Sequence, residues 1–197
     1  MRSNVCKIEK GVKDLDAILK ESEKVAVYNE LDHKQSLQLR LLCEEIDGML
    51  PKLIDDFDGK IWIEFENGVC MVKLTVELKD FTAENKNDLV AIAKNKKNAS
   101  AVGIVGKIRS AVENFFLDDK NMQMLDISSS SFYFATEYAN SVDYSYLWTL
   151  EKYRENAKKE KSEWDELEKS VIASVADDVI VGVKGKQAEI TIIKKFA

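Results

Sequence analysis

Glu44 and Glu45 stand side by side in LQLRLLCEEIDGML, residues 37–50, a leucine-rich run with the period of a helix. A carboxylate held rigidly on a helix can serve as a general base, taking a proton from water or from a hydroxyl. The same residues also allow a plain surface reading. Arg40 precedes Glu44 by four positions, a pair worth about a few tenths of a kcal/mol on an exposed helix. If the buried stripe centres on Leu42, Ile46 and Met49, Glu45 lies nearer the core and Glu44 nearer solvent. The phase of the pattern does not choose between them.

Other chemistry has little to build on. His33 is the single histidine; it follows Asp32 at a predicted helix start, which fits a capped or solvated residue better than a nucleophile's partner. Cys6, Cys43 and Cys70 show none of the close pairs that metal or redox sites use, so no metal site is expected. Cys43 and Cys70 lie in apolar patterns and read as small core residues.

The chain has 197 residues, of which 45% are hydrophobic and 32% charged, so it can bury a core within one domain. One Pro and eight Gly leave no room for long linkers. A net charge of −6 speaks against a nucleic-acid footprint, which needs a surplus of Lys and Arg on one face. No stretch reaches the roughly 20 apolar residues that span a bilayer, and the first twenty residues lack an apolar signal-peptide centre. The expected compartment is a reducing cytoplasm.

The elements that must position these residues follow from periodicity. Residues 12–30 predict a helix with Val12, Leu15, Ile18, Leu19, Ser22, Val25 and Tyr28 near one face. Asp32 caps a second helix, carrying Leu37, Leu41, Ile46, Met49 and Leu50, that bends or restarts at Pro51. The run IWIEFENGVCMVKLTVEL then alternates on either side of Asn67-Gly68, the strongest short signal for a β-hairpin. Residues 82–96 read as helical, and a further helix runs through Ile108, Val112 and Phe115. A strand is expected near Ser131–Thr136, a charged helix over about 143–160, another through Trp164, Leu167, Val171 and Val175, and a closing strand pair around Lys184-Gly185-Lys186. Hairpins alternating with helices predict an α+β two-layer sandwich: a mixed, mostly antiparallel sheet covered by helices on one face.

This order of elements resembles the ATPase superfamily shared by gyrase B, the large heat-shock chaperone, sensor histidine kinases and MutL (GHKL). Within it the small anti-sigma-factor serine kinases are the most similar. LQLRLLCEEIDGML with the hairpin Lys60–Glu77, and the closing SVIASVADDVIVGVKGKQAEITIIKKF, carry the likeness and cover a little under half of the chain. The resemblance implies one GHKL-like domain over 1–197, with an elaboration at about 118–165. It also implies a helical Glu that activates the attacking nucleophile, at Glu44 or Glu45, and an Asn four residues later that holds Mg²⁺ against a triphosphate. Here those positions are Gly48 and Met49, neither a metal ligand, with Asp47 beside them. Asp80 stands where the family's adenine-binding Asp belongs, but Phe81-Thr82-Ala83 follows in place of glycines. Gly103 and Gly106 match the second glycine loop, whose amides would cradle phosphate, and Lys107 would be a phosphate contact. A lone G-x-x-G at a helix start also serves close packing.

With the Mg²⁺ ligand lost, the resemblance implies a degenerate relative: a regulatory protein-interaction module without cofactor and with little or no ATP turnover. The alternative is an ATP·Mg²⁺-binding, anti-sigma-factor-like serine kinase or nucleotide-dependent switch. Either reading expects a protein partner and allows a homodimer, with no nucleic acid and no membrane.

Overall fold

The computed structural model describes residues 1–9, 15–53, 57–78, 103–117, 145–159, 170–184 and 187–196. Their strands are β1 (Cys6–Glu9), β2 (Phe57–Glu66), β3 (Val69–Leu78), β4 (Ser145–Thr149), β5 (Asp178–Lys184) and β6 (Gln187–Lys195). The helices are α1 (Leu15–Tyr28), α2 (His33–Leu53), α3 (Gly103–Leu117), α4 (Leu150–Ala157) and α5 (Val171–Val175). They build an α+β sandwich around a six-stranded sheet ordered β1-β2-β3-β6-β5-β4.

Asn67 (φ 50°) and Gly68 (φ 77°) both turn through the left-handed region, so the β2–β3 hairpin closes on the tight primed turn that matches strand twist. That turn sets the register from Glu66↔Val69 to Phe57↔Leu78. The closing hairpin pairs Lys184 with Gln187, and β6 lies against β3 with Leu74 opposite Ile190. Every pairing among the described strands is antiparallel, in keeping with the mostly antiparallel sheet expected above.

All five described helices contribute to one core on one face of the sheet. Ile18, Leu19 and Val25 of α1 meet Leu39, Leu42, Cys43, Ile46 and Met49 of α2, Ile104, Ile108 and Val112 of α3, and Cys70, Val72, Leu74 and Val76 of β3. The buried stripe of α2 runs 39-42-46-49, on the side of the helix away from Leu37. Leu37 is 52% exposed because its position, two before Leu39, falls on the opposite side of the helix. Tyr28, at the last turn of α1, is likewise exposed rather than buried. Asp32 and Gln35 exchange hydrogen bonds, each side chain accepting from the other's amide at 2.7 and 2.9 Å, which closes the start of α2 as a capping box. The helix continues past Pro51 to Leu53.

Two strands depart from expectation. Residues 145–149, predicted to open a helix, form β4 at the sheet edge; aromatic and β-branched residues in SYLWT favour the extended form, and β5 offers an unpaired edge. The helix starts only at Leu150, where Thr149 accepts from the Lys152 amide and Asp178 accepts from that of Glu151. Part of the stretch read as an elaboration thus supplies a strand and, through Leu150 and Tyr153, core residues. The short strand β1 gave no periodic signal. It is tied down by its flank: Met1 and Phe65 exchange backbone hydrogen bonds, and the Asn4 amide and side chain donate to buried Glu21 of α1. A hydrogen bond from Lys24, opposed by burial, and those from Asn4 hold the Glu21 carboxyl below its ordinary range. Arg154 of α4 closes the end of α5 by donating to the carbonyls of Ala173, Ala176 and Asp177. The expected helix at 82–96, the strand near Ser131–Thr136, Trp164 and Leu167 lie outside the described residues. Among the described residues no helix is long and apolar enough to cross a membrane.

Candidate functional site

α2 presents its two acids differently. Glu44 accepts from Arg40 Nε at 3.0 Å, and the same guanidinium reaches Glu23 of α1 at 3.1 Å through Nη1. The three side chains are between 38% and 63% exposed, so they form a solvated ladder across the α1–α2 seam. Glu45 is half-buried, and its carboxylate makes no ion pair or hydrogen bond with other described residues. One turn on from Glu44, Gly48 is exposed, and a Cβ there would meet nothing within 4 Å. Met49, one turn on from Glu45, is 4% exposed and packs in the core. Neither residue has a side chain that could hold Mg²⁺. Asp80 and the side chain of Asp47 lie outside the described residues.

Gly103, Gly106 and Lys107 belong to the first turns of α3, which packs beside α2. The match to a phosphate-wrapping loop places glycine amides free to face an anion. In the structure Gly106 is instead a buried residue inside a helix, between Ile104 and Ile108 of the core. The Lys107 ammonium lies 5.8 Å from the centre of the Tyr153 ring, a cation–π contact that joins α3 to α4. The fold therefore brings the glutamate helix and the glycine helix side by side.

A second concentration of charge lies on the opposite face of the sheet, where sequence reasoning placed no site. Lys73 of β3 is 4% exposed and its Nζ sits 3.2 Å from Glu64 of β2. Glu64 also accepts from Trp62 Nε1 at 2.8 Å and lies 3.7 Å from Arg2, whose guanidinium covers the Trp62 ring at 4.9 Å. Burial pushes the Glu64 carboxyl up, but Trp62, Lys73 and Arg2 together hold it below the ordinary range. Across β3, Glu189 has burial as its dominant influence, and its carboxyl is raised despite Lys73 and a 3.4 Å contact from the Thr191 hydroxyl. Lys73 thus stands between two carboxylates placed on its diagonals. Beside it Met71, Ile180 and Ile193 form a second, smaller apolar cluster with Val69.

The signal for this cluster was present only as alternation. Strand alternation and register put Trp62, Glu64, Lys73, Glu189 and Thr191 on one face of the sheet. Bringing them together needs the non-local pairing of β3 with β6, which no local pattern announces. Chemically the cluster is a charge-balanced network with its ammonium already engaged; it can lock strand register but offers no nucleophile. Among the described residues no group of three or more His, Cys, Asp or Glu side chains could hold a metal ion. No protein-family model matches the chain, no curated protein matches its sequence, and no solved structure matches its fold.

Proposed function

We propose that this chain is a degenerate GHKL ATPase-like protein that acts as a regulatory protein-interaction module with little or no ATP turnover. The observation that carries the reading is the state of α2. Glu44 is spent in a surface ladder with Arg40 and Glu23, and the next turn offers Gly48 and a core-packed Met49 where a metal-binding amide is required. Without that ligand, Mg²⁺ cannot be held to offset the charge of a transferring phosphoryl group. Gly106 supports the same reading, since it is helical and buried between the core positions Ile104 and Ile108 along the chain. A reducing cytoplasm belongs to this proposal and is supported by three cysteines that form no disulfide.

The second reading, a kinase or switch that binds ATP with Mg²⁺, draws on Glu45, a half-buried carboxylate without an ion pair among the described residues. Calorimetric titration of ATP with Mg²⁺ into the whole protein separates the two. The interaction module gives no saturable heat up to millimolar nucleotide. Saturable binding that disappears in Asp80→Ala and persists without turnover in Glu45→Ala would replace it with the nucleotide-dependent reading.

A further inference from the structure

We draw no further inference here: the strongest candidate, the exposed apolar side chains of Val27 and Tyr28 at the end of α1 and of Leu37 in α2, carries nothing because nothing in the structure shows what covers them.

Discussion

Lys73 and Glu64 meet across neighbouring strands with Nζ 3.2 Å from Oε2, and the lysine keeps only 4% of its side chain in contact with solvent. A buried pair of this kind is costly to break, because removing one partner strands the other's charge. Lys73→Ala should therefore lower stability by about 3 kcal/mol or more. Lys73→Met combined with Glu64→Gln should recover a large part of that loss, since both charges go and the volume stays. Urea unfolding of the two variants beside the wild type decides it. A loss below about 1 kcal/mol for Lys73→Ala would place the pair with ordinary surface bridges instead.

Glu189 carries the pH dependence on the same face. Burial raises its carboxyl above the ordinary value of 4.5, so the folded state prefers the protonated form. Its contribution is fully present below 4.5 and is lost as pH rises through the raised folded value. Asp178, raised by burial despite the Val179 and Glu151 amides, has the same sign. Glu64 has the opposite one: its contribution is present above 4.5 and fades as pH falls through its lowered value. Glu189→Gln should gain on wild type as the buffer is taken upward from about pH 4 to about pH 8, a span that brackets carboxylate titration. Urea midpoints that keep a constant separation over that span would sink this assignment.

The β2–β3 turn tests the backbone. Gly68 has φ 77°, and a Cβ added there would stand 2.9 Å from the carbonyl oxygen of Phe196, which accompanies the Phe196 amide donating back to Gly68. Gly68→Ala should cost roughly 1–2 kcal/mol through the left-handed backbone alone, with the close contact adding to it. Asn67→Gly, at φ 50°, leaves the turn geometry accessible and should change stability far less. Equal thermal midpoints for Gly68→Ala and the wild type would contradict this account.

The thiols should be silent in the native protein. Cys43 and Cys70 are 0% and 1% exposed; burial pushes the Cys43 thiol far up and raises that of Cys70 to about 12. Thiolate is the reacting form, so both should resist a disulfide reagent near neutral pH and react fully in denaturant. Mass spectrometry after brief labelling identifies the sites. Modification of Cys43 or Cys70 at the rate of an open thiol, without denaturant, would show that the helix–sheet core opens.

Local periodicity was enough to place α1, α2 and both hairpins, because each depends on contacts within a few residues. Asn67-Gly68 dictates its own turn, Asp32 and Gln35 their own cap, and Ile18, Leu42, Ile46 and Met49 their buried faces. It misplaced Leu37 by following leucines rather than phase, and it read SYLWT as helix because β4 exists only when β5 is beside it. Of the candidate site residues, Glu44 was legible as an i,i+4 partner of Arg40, but its link to Glu23 required α1 to lie alongside.

What the sequence alone determined is thus the inventory: an α+β chain of hairpins and amphipathic helices, with an acid pair on α2 and no metal-binding amide one turn beyond. Tertiary structure decided the uses. The antiparallel order β1-β2-β3-β6-β5-β4 brought Glu189 of the last strand beside Lys73 and Glu64 of the first hairpin, and helix packing turned Gly106 from a loop candidate into a core position. The physical reason is range. Hydrogen bonds within a turn are fixed by neighbours along the chain, whereas burial and charge pairing depend on which distant segments share a surface.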